Sequence, residues 1–391
     1  MKKVLFVSYD FPYPTNTGGK NRGFNLIKYG SKNIEIHLAS FIREDFRKDY
    51  EDKLRKINVK TITLFKRRKL IDIRNIKSLF LKKNSIFRCL YYNSQTEDSL
   101  LELIKSFKID IVHFESYYTA FYVSDKIRNL RAKQIFGTEN IEYFLYKDYN
   151  QNSNWLKRII IDREVKKIEQ EEKELLKSSD KNIAVTKEEA NFIKSVTGRE
   201  CEVVPNGVDL EEFRYNSPSE KIKNTLLFIG NFTYFPNIDA INYFYNKVFK
   251  RLDSDIKLLV VGKNAQKLSL AKDKRVKAIS FLKDIKDAYN MADIMISPVR
   301  IGGGTNFKVL ETMAYGIPII ADPSRVKSLK VKDGYEMLLA ETALEYKQKI
   351  VLLLRDFGLR KQLSKNARKL VERDYSWKTI GERLNFIWRS T

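Results

Sequence analysis

The chain has 391 residues, 43% of them hydrophobic and 12% aromatic, and its 73 Lys and Arg outnumber its 49 Asp and Glu for a formal net charge of +24. That length exceeds one ordinary core and suits two domains of roughly 150–200 residues, while the apolar fraction excludes a disordered chain. Cys89 and Cys201 lie far apart and form no CxxC pair, which excludes a disulfide framework and a cysteine-based zinc site.

The opening residues, MKKVLFVSYDFPYP, start like a signal peptide, but the apolar stretch runs only from Val4 to Val7 before polar residues and prolines interrupt it. It reads as a first strand. No run approaches the roughly 18 apolar residues of a spanning helix, so a cytoplasmic protein is expected, with peripheral contact to the inner face of the cell membrane as one option.

Short β-rich runs then alternate with longer helical patterns, as in parallel sheets with crossover helices. The first half offers strands at Val4–Ser8, Glu35–Phe41, Lys60–Phe65, Ile109–Glu115, Gln134–Thr138, Asn182–Thr186 and Glu202–Pro205. Its longest helical pattern runs from Trp155 to Ser178. After Pro205-Asn206-Gly207 and the polar stretch 216–224 the pattern restarts, with strands at Thr225–Gly230, Lys257–Gly262, Val276–Ser280, Ile294–Val299, Ile317–Ala321 and Glu336–Leu339. A last helical stretch, Trp377–Arg389, follows the complete second half.

The positive charge is concentrated. Between Lys53 and Arg88 stand 13 Lys or Arg and one acid, Asp72, with Lys66-Arg67-Arg68-Lys69 at the centre and aliphatic residues following. Such a stretch suits an anionic membrane surface or a lipid pyrophosphate. It equally describes a solvated face. A nucleic-acid partner is not expected, because the charge alone suggests one.

The segment Ser297–Pro318 carries the clearest chemistry. A strand runs into Gly302, Gly303 and Gly304, and a helix begins near Asn306, so amide N–H groups and the positive helix end point at whatever lies over the glycines. Arg300 and Lys308 supply charge for a diphosphate, Thr305 completes the turn, and Glu311 stands where a carboxylate grips ribose hydroxyls. The alternative is a tight turn with no ligand. Asp253-Ser-Asp255 precedes a strand, at the wrong sheet edge for a ligand, and no His/carboxylate cluster stands elsewhere, so no metal is expected. His37 reads as structural; His113, toward the C-terminal end of its strand, is either an acceptor-side residue or a satisfied core histidine.

These residues resemble the group 1 glycosyltransferases, the large retaining family of GT-B fold, and within it members with a GGGTxxKxLExM segment. The resemblance spans the chain and also includes Val204–Asp209, Phe228–Phe232 with Pro236–Ala240, Val260–Gly262, and Gly18-Gly19 after the first strand. It implies an α/β architecture of two Rossmann-like domains facing across a cleft. Residues 1–205 form the acceptor domain, 206–375 the donor domain, and the terminal helix, 376–391, packs back on the first. A nucleotide diphosphate sugar would lie on Gly230, Asn231, Gly262, Gly302, Gly303, Gly304, Thr305 and Glu311, with Asn206 at the junction and Gly18 and Gly19 toward the donor phosphate and acceptor.

By the same resemblance Glu311 is the second glutamate of a paired motif whose first position is here Gly303, and Arg300 and Lys308 take the diphosphate. Glu139 stands where the family commonly has a histidine near the transferred sugar. It either bonds a sugar hydroxyl, accepts the acceptor's proton or caps the following helix. The implied activity is metal-independent, cofactor-free transfer, with retention, to a glycan or lipid-linked acceptor, in capsule, lipopolysaccharide or exopolysaccharide assembly. Alternatives are a nucleotide-sugar epimerase of the same fold and a non-catalytic nucleotide-sugar binder.

Overall fold

The computed structural model describes residues 1–67, 84–151, 155–299 and 307–391, without the side chains of 149 and 151–160. The chain divides into two compact units, Met1–Asn206 with Trp377–Thr391, and Gly207–Ser376. Each boundary falls one residue from the expected one, and the two residues that change sides show why. Asn206 is held in the first unit by Arg22, and Ser376 pairs with Val208 in the second.

Unit 1 is built on seven parallel strands, β1 (Lys2–Ser8), β2 (Ile34–Ile42), β3 (Val59–Lys66), β4 (Ile111–Glu115), β5 (Lys133–Gly137), β6 (Lys181–Ala184) and β7 (Glu202–Val203), in the order β3-β2-β1-β4-β5-β6-β7. Every predicted strand of both halves is present. The central ones are near-continuous apolar runs because helices cover both faces: Val4, Phe6, Val7, Ile111 and Phe114 are fully buried. Helix α1 (Gly18–Gly30) starts at Thr17, whose hydroxyl accepts from the Lys20 amide. Helices α2 (Ile86–Tyr91), α3 (Tyr117–Ala120), α4 (Glu142–Gln151) and α5 (Trp155–Ser178) follow.

The carboxylates of α5 hold two of these helices in place. Glu171 accepts from the Ser85 amide and Glu164 from that of Ile86, at the start of α2. Glu172 accepts from Glu142 and Tyr143, at the start of α4, both at 3.0 Å. These amides have no partner inside their own helices, so each contact satisfies a group that would otherwise be orphaned.

Unit 2 has six parallel strands, β8 (Thr225–Ile229), β9 (Lys257–Val261), β10 (Val276–Ile279), β11 (Ile294–Ser297), β12 (Ile319–Ala321) and β13 (Leu338–Leu339), in the order β10-β9-β8-β11-β12-β13. Alternate residues serve two cores: Leu226, Phe228, Leu258, Val260, Ile294 and Ile296 face one layer, and Leu227, Leu259, Val261 and Met295 face the other. Helix α6 (Phe307–Tyr315) follows β11.

The last helix, α7 (Trp377–Ser390), belongs to unit 1, where it packs along α1 with Trp377, Ile380, Leu384 and Trp388 buried. Among the described residues no helix is long and apolar enough to cross a membrane. Much of the basic stretch, residues 68–83, lies outside them. Neither cysteine is in a disulfide.

Both sheets reverse their strand order once, between β1 and β4 in unit 1 and between β8 and β11 in unit 2. At such a point the connections leave to opposite sides and open a crevice at the carboxyl ends of the two strands, where parallel sheets hold ligands.

Candidate functional site

In unit 2 the segment that leaves β11 at its switch point contains the residues for which a glycine turn is expected. Arg300, Gly302, Gly303, Gly304 and Thr305 lie outside the described residues. Lys308 and Glu311, on α6, are described and half-buried. Lys308 Nζ donates to the carbonyl of Ile229 at 2.6 Å and to Asn237 Oδ1 at 3.2 Å, and lies 5.0 Å from the Phe228 ring centre. A side chain from the helix after β11 therefore reaches the end of β8, across the switch point. Burial, helped by the charge of Arg325, lowers the Lys308 ammonium to about 8, with Glu311 opposing.

Glu311, one turn along the same face, is pushed up to about 8 by burial and then by Glu212, against Tyr289 and Lys308. The Tyr289 hydroxyl beside it is buried and has no well-aligned hydrogen bond among the described residues. A cation and a carboxyl thus stand together; burial weakens the hold of Lys308 on its proton and strengthens that of Glu311. A diphosphate over Lys308 would stabilise its charged form.

Several expected donor residues have other work. The amide of Gly230 donates to Val261 and that of Gly262 to Ile279, so neither is available to a phosphate. Gly262 has φ +132° and its missing Cβ would collide with the Gly230 carbonyl, so the glycine is required by chain packing. Asn231 is spent in its own turn, its Oδ1 accepting from the amide and hydroxyl of Thr233. Asn206 is buried in unit 1, with Oδ1 accepting from Arg22. These four residues, which the family resemblance assigns to the donor, thus make contacts within the protein.

At the switch point of unit 1, Gly18 and Gly19 form the first turn of α1 rather than a loop. A Cβ on Gly19 would strike the Tyr9 hydroxyl and the Glu139 carboxylate, so this glycine accommodates protein side chains. Tyr9 is hydrogen-bonded to Glu139. Burial first, then the charges of Glu115 and Glu142, raise Glu139 to about 8, against Arg22 and Tyr9. The capping task that the sequence left open for Glu139 falls to Glu172.

Behind Glu139 runs a buried chain of polar groups. Trp388 Nε1–H donates to His113 Nδ1 at 3.1 Å; since an indole only donates, His113 carries its proton on Nε2 and gives it to Glu115 Oε2 at 2.7 Å. Arg22 Nε donates to Glu115 Oε1 at 2.6 Å, and its Nη1 donates to the carbonyls of Val204 and Pro205 and to Asn206. Burial alone would raise Glu115, but Arg22 and His113 hold it below the usual carboxylate range. With both nitrogens engaged and no exposed surface, His113 fits the second of its two readings, a satisfied core histidine, rather than the acceptor side. His37, stacked on Phe107 and bonded to Thr61 and Glu35, is structural as expected.

Sequence reasoning did not single out Tyr9, Arg22, Glu115 or Glu142. Glu115 is the last residue of a predicted strand and Tyr9 follows another; knowing that β1 and β4 are neighbours at the reversal would have pointed to both. Among the described residues no group of three or more His, Cys, Asp or Glu could hold a metal ion.

Residues 38–212 match the family described as Glycosyltransferase Family 4, and residues 223–356 match glycosyl transferases group 1. The chain is similar to an uncharacterised 44.6 kDa protein of the cps region of Klebsiella pneumoniae, 23% identical over 97% of this chain and 98% of that one. Among solved structures it is similar to Anabaena HepE in complex with UDP (TM-score 0.70, 13% identity, all of both chains). It is also similar to a sucrose-phosphate synthase of Thermosynechococcus elongatus (TM-score 0.68, 16% identity, 100% of this chain and 99% of that one). These likenesses establish the GT-B fold.

Proposed function

We propose that the chain is a group 1 glycosyltransferase, as the family matches over residues 38–212 and 223–356 support, and that it moves a sugar from a nucleotide diphosphate to a glycan or lipid-linked acceptor, with retention of anomeric configuration. The observation that carries the donor reading is Lys308 spanning the β8/β11 switch point with Glu311 one turn along. A cation there meets a diphosphate, and a carboxyl there meets ribose hydroxyls. From the sequence, the remaining diphosphate contacts are assigned to Arg300 and Gly302–Gly304, outside the described residues, and no metal ion is called for. That HepE was solved with UDP, and separately with UDP-glucose, agrees with this choice of donor class.

In the reaction the bond from the anomeric carbon to the leaving phosphate oxygen breaks and a bond to the acceptor oxygen forms on the same face. Negative charge grows on the departing diphosphate, so Lys308 and the amides stabilise the transition state more than the ground state. Burial favours the neutral form of Glu139 at pH 7, so it donates a hydrogen bond to a sugar hydroxyl, and the departing phosphate takes the acceptor proton. The cps-region relative supports a place in surface polysaccharide assembly. Residues 53–88 would bring the enzyme to an anionic membrane; flotation with anionic liposomes, lost when Lys66–Lys69 are neutralised, checks this.

Thermal stabilisation by a panel of UDP-, GDP- and dTDP-sugars tests the donor site. The right donor at about 100 times its Kd adds about 2.7 kcal/mol. If no member of the panel stabilises the protein, the reading fails.

A further inference from the structure

The switch point of unit 1 is lined by rings. Tyr9, which follows β1, lies 5.3 Å from Tyr118, which follows β4; Phe87 on α2 lies 5.3 Å from Tyr118 and 5.1 Å from Tyr146 on α4. All four are half-buried, whereas neighbouring Tyr117 and Tyr122 are fully enclosed. They are also interleaved with carboxyls. Tyr9 is bonded to Glu139, and Tyr118 Oη donates to Glu142 Oε2 at 3.2 Å and is bonded to Tyr146.

We propose that Tyr9, Phe87, Tyr118 and Tyr146 form a floor on which one pyranose ring of a glycan acceptor stacks, with the Glu139 carboxyl meeting its hydroxyls and the buried Glu142 holding Tyr118 in place. The inference rests on the glycosyltransferase reading and adds the acceptor's chemistry. A pyranose has an apolar C–H face and a polar rim, and this surface has both: ring faces for the first, carboxyls and phenols for the second. A polyprenyl chain fits it poorly, because covering Glu139 and the three half-buried phenols with hydrocarbon would strand their polar atoms. The surface is continuous with Gly19 and Glu139, so a sugar on it lies beside the carboxyl already placed in the reaction.

Saturation-transfer NMR on the full chain tests this, with methyl glucopyranoside, galactopyranoside and mannopyranoside as probes and farnesyl phosphate as the lipid probe. At least one pyranoside should receive saturation on its ring C–H protons. Phe87→Leu and Tyr146→Leu, which keep apolar bulk but remove a ring, should each weaken its binding about fivefold, the effect of losing one aromatic contact. Lys308→Ala should leave it unchanged. The proposal is overturned if no pyranoside is saturated, if both leucine variants bind like the wild type, if Lys308→Ala also loses the signal, or if farnesyl phosphate alone uses these rings. Stabilisation of both leucine variants by the donor shows that they fold, and its absence in the wild type condemns the donor reading independently of the NMR result.

Discussion

The crevices of the two sheets differ in what fills them. In unit 2 a lysine crosses from α6 to the end of β8, with a carboxyl one turn away. Among the described residues of unit 1 no cation spans the gap between Tyr9 and Tyr118; rings and hydrogen-bonded carboxyls stand there, and the buried cations are turned elsewhere, Arg22 to Glu115 and the β7 exit and Lys20 to Asp10. The backbone plan is the same, so chemical difference comes from the connections that leave each reversal. A site of positive charge suits the activated donor, and a site of rings and neutral acids suits a sugar.

The largest effect that separates them is on turnover. Lys308→Ala should cost about 100-fold or more in kcat/KM, the range for removing one donor to developing negative charge, and should abolish stabilisation by the donor. Glu311→Ala should weaken the donor without changing pyranoside binding. Wild-type rates in either variant would remove unit 2 from the chemistry.

Packing gives the next effect. Gly262→Ala places a methyl group against the Gly230 carbonyl at a strained φ, and a loss of about 3 kcal/mol in unfolding of unit 2 is expected. Calorimetry that shows an unchanged transition would return Gly262 to the candidate ligand residues. Trp388→Phe leaves His113 Nδ1 buried without a donor and should cost unit 1 about 1–2 kcal/mol.

The strands were legible because a parallel sheet covered on both faces writes its strands as unbroken apolar runs, and β1, β4, β8 and β11 all begin or end within two residues of their expected places. The return of α7 and the Lys308–Glu311 pair were legible from family resemblance and helical spacing. What the sequence hid was partnership. Arg22 and Asn206 are distant in the chain from each other and from the His113–Glu115 pair on β4, and the fold alone brings them together, so His113 and Asn206 read as ligand contacts. Packing around the glycines was hidden in the same way: a Cβ on Gly262 would strike the Gly230 carbonyl, and one on Gly230 would crowd the side chains of Phe228 and Asn237.

The smallest effect is a pH dependence that distinguishes the units. In unit 1 burial raises Glu139, Glu142 and Glu172 from 4.5 to about 8, and in unit 2 it raises Glu311 likewise while lowering Lys308 from 10.5 to about 8. Between pH 4.5 and 8 the folded state binds more protons at each of these carboxyls than the unfolded chain, so stability is greatest below 4.5 and is lost as pH rises through about 8. Lys308 acts above that window: its penalty is full below pH 8 and is relieved toward 10.5. Three carboxyls against one make unit 1 the steeper, so its calorimetric transition should fall further than that of unit 2 between pH 5 and 8. Glu142→Gln keeps an oxygen for Tyr118 but cannot ionise, and should raise the unit 1 transition at pH 8 by about 3 °C relative to its effect at pH 5. Equal shifts at the two pH values would mean that Glu142 is already ionised in the folded protein, and the neutral-acid character assigned to the unit 1 crevice would then rest on Glu139 alone.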